Sequence, residues 1–279
     1  MSIFEDKTAV ITGAGSGIGK ALALALGAEG CHLALSDVNQ EGLAETQSRL
    51  EDMGVRVHTE ILDVADREAF YGYAERLIKH FGPVQIVINN AGVSLTADLL
   101  NVSYEDYEWI FNINFWGMVY GSKAFLPHLL EQEEAWLTNI SSIFGILAVP
   151  TQGTYVSTKF AIRGFTETLR EELLHTKINV ACVHPGGIKT NIARAGKYDT
   201  KTLGTTDNER LIRNFDKLAP TTAEQAAQVI LQGMEKRKAR ILIGKDAKRL
   251  AWLQRLFPSG YQKIVARRYS KVIKKRPQV

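Results

Sequence analysis

Tyr155 and Lys159 stand four residues apart in the stretch GTYVSTKF, which covers residues 153–160. If this stretch is helical, the two side chains lie on one face, about one turn apart. An ammonium group beside a phenol favours the phenolate and lowers the phenol's pKa from its ordinary value of about 10, which suits proton transfer. The pair alone is a weak signal, because both residue types are common and every helix contains such pairs.

Two polar residues upstream could complete a site around this pair. Ser142 ends the strand-like run AWLTNISS, 13 residues before Tyr155. Asn114 lies in a helical-looking segment that is otherwise rich in large apolar groups, where a buried amide without partners would cost about 1–3 kcal/mol. Oxidation of a secondary alcohol needs a base for the hydroxyl proton while a hydride leaves, and the reverse reduction needs a proton donor for the developing alkoxide. A tyrosine beside a serine hydroxyl can serve both directions.

Three glycines, Gly13, Gly17 and Gly19, separate the first strand-like run from the first helical pattern. Glycine lets the backbone turn sharply and approach a pyrophosphate, which then lies at the N-terminus of the helix. The spacing is GxxxGxG rather than GxGxxG, and an ordinary glycine-rich turn is the alternative. Ser16 and Ile18 stand between these glycines, and we expect all five residues to contact a dinucleotide cofactor.

Asp37 ends the second strand-like run, 18 residues after Gly19. A carboxylate at this position can accept hydrogen bonds from the adenosine ribose hydroxyls and would repel a 2′-phosphate. Neither Ser16 nor Val38 is basic, so a 2′-phosphate would find no counter-charge there. These residues predict NAD rather than NADP as the cofactor. The alternative is that Asp37 only caps the following helix.

Further cofactor contacts are expected where other strand-like runs end. The third run ends where the adenine edge would lie, the fourth ends in small residues that allow close backbone contact, and the sixth leads towards the nicotinamide. The contacts that we expect there are Asp63, Val64, Asn90, Ala91, Gly92, Ile188 and Thr190.

Short β-branched runs alternate with helical patterns along most of the chain. The strands that we predict cover residues 8–13, 32–37, 56–64, 84–92, 135–142, 178–186 and 240–244. The helices that we predict between them cover residues 19–30, 39–54, 66–82 and 153–176. Nearly continuous apolar strands separated by helices indicate a parallel sheet covered on both faces. We therefore expect an α/β fold with a doubly wound seven-stranded parallel sheet of the Rossmann type, which binds ligands at the carboxyl ends of its strands.

The length of 279 residues and the apolar fraction of 45% suit one globular domain. We assign residues 1–245 to a catalytic dinucleotide-binding domain, with residues 191–222 as a substrate lid. Residues 246–279 form a basic amphipathic C-terminal extension. The charge is also uneven along the chain, because residues 235–279 have a net charge of +13 and residues 1–234 a net charge of −9.

The chain resembles the classical short-chain dehydrogenase/reductase family over about residues 5–245. The motifs that carry the resemblance are TGAGSGIG at 12–19, Asp63-Val64, NNAG at 89–92, Asn114, Ser142, YVSTK at 155–159 and PGGIKT at 185–190. The resemblance implies that Tyr155 is the catalytic acid and base, Lys159 its activator and a cofactor ligand, Ser142 the substrate-orienting donor and Asn114 the anchor of a proton relay. It also implies a homodimer or homotetramer built on the helices of Asn114 and Tyr155.

The substrate is expected to be a small-molecule alcohol or ketone held by Ser142, Phe144, Tyr155 and Gly186. Apolar residues dominate the neighbouring segments, which favours a lipophilic compound such as a hydroxysteroid, a retinoid or a long-chain alcohol. One alternative is an NADPH-linked 3-oxoacyl reductase, which Asp37 and the basic extension disfavour. Another is a non-catalytic protein that senses the cofactor, which the complete set of four catalytic residues disfavours.

Other classes of site and location are not indicated by the sequence. The six histidines lack HxxxH or HExxH spacing, so we expect no metal, and no reading motif for nucleic acid accompanies the basic charge. Cys31 and Cys182 lie in apolar runs and are expected to be reduced thiols. No apolar run reaches the roughly 18 residues of a membrane span and no secretory signal is evident, so we expect a cytoplasmic protein.

The extension interleaves large apolar residues with Lys and Arg. A basic amphipathic helix of this kind can lie on an anionic membrane surface. Three alternatives stay open, because the pattern is not diagnostic: the extension packs on the acidic body, covers the active site or docks on a neighbouring subunit.

Overall fold

Seven parallel strands form the centre of the molecule. The computed structural model of the protein describes residues 2–199, 213 and 219–273. The strands are β1 (Thr8–Thr12), β2 (His32–Asp37), β3 (Val57–Ile61), β4 (Ile86–Asn89), β5 (Ala135–Ile140), β6 (Ile178–Pro185) and β7 (Arg240–Ile243). The predicted strands and the predicted seven-stranded α/β fold are confirmed, and several strands are one to three residues shorter at an end than predicted.

The strand order across the sheet is β7-β6-β5-β4-β1-β2-β3, and each adjacent pair is parallel. The order reverses between β1 and β4, which are neighbours. The loops that follow these two strands therefore leave to opposite sides, and a crevice opens at their carboxyl ends. The predicted site residues follow strands at this edge.

Helices cover both faces of the sheet. They are α1 (Gly17–Ala28), α2 (Gln40–Asp52), α3 (Arg67–Phe81), α4 (Tyr104–Phe111), α5 (Gly117–Leu130), α6 (Gly153–Glu172), α7 (Ala223–Glu235), α8 (Lys245–Leu256) and α9 (Tyr261–Ile273). One apolar core joins the sheet to α1, α2 and α7, and a second joins it to α3, α5 and α6. Burial on both faces explains why the strands are apolar along nearly their whole length.

Two elements differ from the sequence-based expectation. The helix α7 was not predicted, although Thr222 and Gln225 form a capping box at its start. The segment around Asn114 is not one continuous helix, because a π-helical turn at Asn112–Trp116 separates α4 from α5. Such turns insert one residue into the helical ladder and often occur at functional sites.

The predicted lid is described only in part. Its first residues form a short 3-10 turn at Asn191–Ala193, and Lys197–Tyr198 pairs with Leu95–Thr96. Its last residues, Thr221–Thr222, pair with Ile188–Lys189. Residues 200–212 and 214–218 of the lid, like residues 274–279 of the extension, lie outside the described residues. Among the described residues, no helix is both long and apolar enough to cross a membrane.

Candidate active site

A cavity of about 760 Å³ opens at the carboxyl ends of the strands. One end lies at the turn after β1 and at the end of β2, and the other lies between the loops that follow β5 and β6. The predicted residues on its wall are Gly13, Ser16, Gly17, Ile18, Asp37, Asp63, Val64, Asn90, Ala91, Gly92, Ser142, Phe144, Tyr155, Lys159, Gly186, Ile188 and Thr190. Two predicted residues, Gly19 and Asn114, lie behind the wall.

The turn between β1 and α1 needs glycine at three places. Gly13 and Gly17 have φ angles of +67° and +53°, in the left-handed region that favours glycine. A Cβ atom at Gly19 would lie 2.1 Å from the carbonyl oxygen of Gly13, so this position admits only glycine. The first turn of α1 has no side-chain cap and no acidic residue, which leaves its backbone N–H groups for an anion.

Hydrogen bonds from the end of β4 hold this turn in place. The Asn90 side chain donates to the carbonyl oxygens of Thr12 and Gly13, at 3.0 and 3.1 Å. The backbone N–H groups of Asn90 and Ala91 donate to Thr12 Oγ1, both at 3.1 Å. The Asn90 amide therefore supports the turn from behind. Thr12 was missed by the sequence analysis, because a threonine at a strand end carries no distinguishing signal.

Asp37 lies beside the same turn. Its Oδ2 accepts the Gly15 N–H at 2.8 Å and its Oδ1 accepts the Asn39 N–H at 2.9 Å. The side chain that caps α2 is Asn39, which accepts the Gly42 N–H at 3.1 Å. The alternative in which Asp37 caps α2 is therefore wrong, and its carboxylate remains on the cavity wall.

Tyr155 and Lys159 share one face of α6, as their spacing predicts. Lys159 Nζ lies 5.5 Å from the centroid of the Tyr155 ring and donates to the Ile140 carbonyl oxygen at 3.1 Å. This bond fixes the ammonium group at the end of β5.

Burial dominates the ionisation of both residues. It lowers the pKa of Lys159 to about 8. It raises the pKa of Tyr155 to about 12, although a hydrogen bond with the Ser142 side chain acts in the opposite direction. The side chains of this chain alone therefore raise the Tyr155 pKa, because removing the phenolate from water outweighs the hydrogen bond with Ser142. The predicted lowering, which also needs the positive charge of a bound nicotinamide ring, stays a prediction. These groups favour the protonated phenol at neutral pH.

Ser142 is held by groups on both sides. Its Oγ accepts the Phe144 N–H at 3.1 Å, so its hydroxyl hydrogen can be donated to the Tyr155 oxygen or to a group in the cavity. Its carbonyl oxygen lies 2.8 Å from Nδ1 of His184, a fully buried residue on β6. Burial lowers the pKa of His184 to about 4, so the ring is neutral at pH 7. Since a carbonyl only accepts, Nδ1 carries the hydrogen. The sequence analysis did not predict this support.

Asn114 lies in the π-helical turn, where its amide joins two segments behind the cavity. Its Oδ1 accepts the Val93 N–H at 2.8 Å. Its Nδ2 donates to the Val93 carbonyl oxygen at 3.0 Å and to Thr158 Oγ1 at 3.2 Å. Thr158 belongs to α6 and donates to the Tyr155 carbonyl oxygen at 2.8 Å. Asn114 thus ties the loop after β4 to the helix of Tyr155, and its role in a proton relay stays a prediction.

Apolar side chains and one carboxylate shape the substrate end of the cavity. The Phe144 ring meets the Tyr155 ring edge to face, with 6.2 Å between centroids. Leu250 of α8 also lines the wall. Asp246, two residues into α8, accepts the Gly187 N–H at 2.7 Å, and a Cβ atom at Gly186 would lie 2.3 Å from its Oδ2. The sequence analysis missed Asp246 and Leu250 as site residues, since nothing local shows that α8 folds back onto this loop.

The cavity suits an extended dinucleotide in shape and chemistry. Free N–H groups at the start of α1 match a pyrophosphate, and the Asp37 carboxylate matches a ribose diol. The glycines let the backbone of the turn pack directly against Asn90 and Ala91, where a Cβ atom would clash. Across the described parts of the chain, no group of three His, Cys, Asp or Glu side chains could hold a metal ion.

Comparison with known proteins agrees with these features. Residues 7–200 match the family described as short chain dehydrogenase. "Putative oxidoreductase SadH" from Mycobacterium tuberculosis is 45% identical over 269 residues, which cover 95% of this chain and 96% of the relative. The 3-oxoacyl-[acyl-carrier-protein] reductase FabG of Thermotoga maritima is 31% identical, covering 81% of this chain and 89% of its own. Human estradiol 17-beta-dehydrogenase 11 is 30% identical, covering 94% and 82%.

A solved structure shows the same architecture. The short-chain dehydrogenase/reductase from Burkholderia phymatum, crystallised in complex with NAD, superposes with a TM-score of 0.84 and 28% identity. The match covers 94% of this chain and 97% of that one. The chain therefore belongs to the classical short-chain dehydrogenase/reductase family and is an oxidoreductase of that family.

Proposed function

We propose that the protein is an NAD(H)-dependent oxidoreductase that interconverts a secondary alcohol and a ketone. The observation that carries the proposal is one cavity with Asp37 at one end and Ser142, Tyr155 and Lys159 at the other. A cavity so equipped can hold a dinucleotide and move a single proton to or from a substrate oxygen. Alcohol–ketone interconversion requires both.

The four predicted catalytic residues divide the work as follows. The dinucleotide, when bound, supplies the hydride donor or acceptor. Tyr155 gives its proton to the ketone oxygen, or takes the alcohol proton in the reverse direction. Ser142 donates a second hydrogen bond to the same oxygen. Lys159 stabilises the phenolate that Tyr155 becomes, while Asn114 holds α6 against the loop after β4.

The resistance of Tyr155 to ionisation prepares it to act as the proton donor in reduction. Because burial raises its pKa to about 12, the phenol is protonated over the physiological pH range. A protonated phenol is the state that donates to a developing alkoxide. Oxidation needs extra positive charge near the ring to produce the phenolate. Lys159, with a pKa of about 8, carries much of its charge at pH 7.

The cofactor preference rests on Asp37. Its carboxylate stands on the cavity wall, and the family binds nicotinamide cofactors. We expect NADH to bind more tightly than NADPH, because a 2′-phosphate would meet the carboxylate. In the Asp37→Ala variant, the ratio of the NADPH dissociation constant to the NADH dissociation constant should fall at least about 10-fold, equal to roughly 1.4 kcal/mol. Fluorescence titration with NADH and NADPH measures it, and equal affinities in the unsubstituted protein would contradict the assignment.

A lipophilic substrate fits the other end of the cavity. Ile143, Phe144, Ile192 and Leu250 line the wall near Tyr155. A long apolar alcohol would remove these side chains from water, which stabilises its binding. The hydroxysteroid, retinoid and long-chain types remain the candidate classes, and one of the relatives is named as an estradiol dehydrogenase.

An NAD-linked activity panel tests the proposed reaction. It would include short alcohols, hydroxysteroids, retinols, long-chain secondary alcohols and 3-oxoacyl thioesters, each assayed with NAD(H) and NADP(H). We expect the highest kcat/KM with a lipophilic alcohol or ketone and NAD(H). The runner-up is an NADPH-linked 3-oxoacyl reductase, which the FabG relative favours. A preference for 3-oxoacyl thioesters and NADPH would support that activity instead. Nucleotide binding without turnover of any compound would support a cofactor-sensing protein.

Homo-oligomerisation and cytoplasmic location complete the proposal. Trp116, at the π-helical turn, is 43% exposed and Phe160 on α6 is 39% exposed, which suits a homodimer or homotetramer built on these helices. Light scattering should show a lower mass for Trp116→Lys.

Cys31 and Cys182 are buried, and burial raises both thiol pKa values to about 12, which suits a reducing compartment. Recovery of the native protein from a secreted fraction would contradict this location.

A further inference from the structure

The helices α8 and α9 pack against the loop that follows Ser142. We call residues 245–273 the C-terminal hairpin. Ala247 and Tyr261 are buried against Ile143 and its neighbours, together with parts of Leu250. The Tyr261 hydroxyl accepts the Ala148 N–H at 3.1 Å. One face of the hairpin is therefore fixed on the body, beside the substrate end of the cavity.

The opposite face of the hairpin exposes large apolar side chains. Trp252 is 63% exposed, Leu256 62%, Phe257 55% and Ile264 51%. Each lies within four residues of an exposed basic residue in the sequence. The exposed basic residues of this outer face are Lys248, Arg249, Arg255, Lys263 and Arg267. The single acid of the hairpin, Asp246, faces inwards to Gly187.

This mixture of side chains fits a lipid surface better than a second protein. Cores of protein interfaces are depleted in Lys, whereas here Lys248 stands one turn from Trp252 and Lys263 precedes Ile264. Trp is enriched at the boundary between headgroups and acyl chains, and Lys and Arg can extend to anionic headgroups while their stems cover apolar surface. Helices with this division of apolar and basic groups lie in the plane of a membrane.

We propose that the outer face of the C-terminal hairpin docks on an anionic membrane surface, with Trp252, Leu256, Phe257 and Ile264 inserted below the headgroups. The protein lies on the membrane without crossing it. Leu250, on the inner face of α8, lines the cavity only two residues before Trp252, so docking brings the substrate end of the cavity close to the bilayer. A lipophilic substrate could then enter from the membrane. This last step rests on the proposed function, whereas the docking itself does not.

Vesicle sedimentation with the full chain tests the docking. The probes are vesicles of phosphatidylcholine alone and vesicles that contain phosphatidylglycerol as well. We expect binding to the anionic vesicles, weaker binding at high salt and little binding to the neutral ones. The Trp252→Ala/Leu256→Ala variant and the Lys248→Glu/Arg249→Glu variant should each reduce the partition coefficient at least about 10-fold.

A matched control removes exposed apolar groups elsewhere. Leu100 and Tyr104 are 97% and 86% exposed, far from the hairpin in the sequence, and the Leu100→Ala/Tyr104→Ala variant should bind vesicles as the unsubstituted protein does. Equal binding by all variants, or equal binding to neutral and anionic vesicles, would overturn the proposal. So would the absence of vesicle binding together with a lower oligomeric mass for Trp252→Ala/Leu256→Ala, which would assign the face to a second copy.

Activity separates this proposal from the proposed function. Turnover of a water-soluble alcohol should be unchanged in the hairpin variants, because none of the replaced residues lines the cavity. Vesicle binding by a protein without any NAD-linked turnover would support the docking and contradict the function. Turnover without vesicle binding would support the proposed function and contradict the docking.

Discussion

The two ends of the cavity are built in different ways. At the end near Asp37, which we propose holds the nucleotide and call the nucleotide end, the Asn90 side chain donates hydrogen bonds to the glycine turn and Thr12 Oγ1 and Asp37 accept them, at 2.8–3.1 Å. At the substrate end, apolar side chains from the loop after β5 pack against α8 and α9. The first end is fixed by backbone geometry that only certain residues permit. The second is fixed by apolar contacts that many side chains can make.

This difference separates what the fold requires from what a substrate requires. A pyrophosphate needs N–H groups at fixed positions, and only glycines let the backbone reach it. An apolar substrate needs surface of the right shape, which distant parts of the chain can supply. Substitutions at the nucleotide end should therefore be far more damaging than substitutions of similar size at the substrate end.

The largest effect on NADH binding is expected from Gly19→Ala. Its Cβ would lie 2.1 Å from the Gly13 carbonyl oxygen, and this backbone atom cannot move without breaking the turn. We expect at least about a 100-fold loss of NADH affinity, roughly 2.7 kcal/mol, or a failure to fold. NADH titration and thermal melting measure it.

The control is Gly164→Ala in α6, where an added Cβ meets nothing within 4 Å. That variant should gain about 0.5–1 kcal/mol of stability and keep its NADH affinity. Unchanged binding and melting in Gly19→Ala would remove the basis of the comparison.

The next effect concerns pH and His184, which supports Ser142 between the two ends. Its pKa falls from 6.5 to about 4 on folding, so the unfolded chain binds a proton in this window while the folded chain does not. His184 therefore costs stability as the pH falls from about 6.5 to about 4, by about 3 kcal/mol in total. Above pH 6.5 this loss is absent. Urea unfolding at about pH 7 and about pH 4 should show that His184→Asn loses less stability than the unsubstituted protein. An equal loss in both proteins would show that the ring protonates freely in the folded state.

A smaller effect is expected from Asp246, which joins α8 to the substrate end. The Asp246→Ala variant removes the acceptor of the Gly187 N–H, so the loop after β6 should lose its position. We expect KM for the substrate to rise about 10-fold, equal to roughly 1.4 kcal/mol, with the NADH dissociation constant changed less than about 3-fold. The Asp246→Asn variant keeps an acceptor oxygen and should recover most of the loss. Equal losses of substrate and NADH affinity would show that the two ends of the cavity are not built independently.

The sequence predicts the nucleotide end more completely than the substrate end, for the same physical reason. Seven apolar runs give the sheet, and the carboxyl ends of its strands bring Gly13, Asp37 and Asn90 together without any knowledge of tertiary contacts. The spacing of Tyr155 and Lys159 places both on one face of α6. The comparison with known proteins confirms the family on which the assignment of these motifs rests.

Long-range packing explains what the sequence could not predict. The contact of Asp246 with Gly187 joins residues 59 positions apart, and neither residue is unusual in its own segment. Burial decides the ionisation of Tyr155 and His184, and burial depends on the whole fold. The π-helical turn at Asn114 leaves no periodic signal, because it changes a single turn of an otherwise helical segment. The helix α7, by contrast, could have been predicted, because the Thr222 and Gln225 capping box at its start is visible in the sequence.

The most direct test of the central claim is the Tyr155→Phe variant. It removes only the phenolic oxygen, so the cavity and the Asp37 end should be unchanged. We predict an NADH dissociation constant within about 3-fold of the unsubstituted value, with kcat/KM for the best substrate of the activity panel reduced at least about 100-fold. Stopped-flow fluorescence and steady-state NADH absorbance on the same preparation measure both quantities. An unchanged kcat/KM would show that Tyr155 is not the proton donor and would contradict the proposed mechanism.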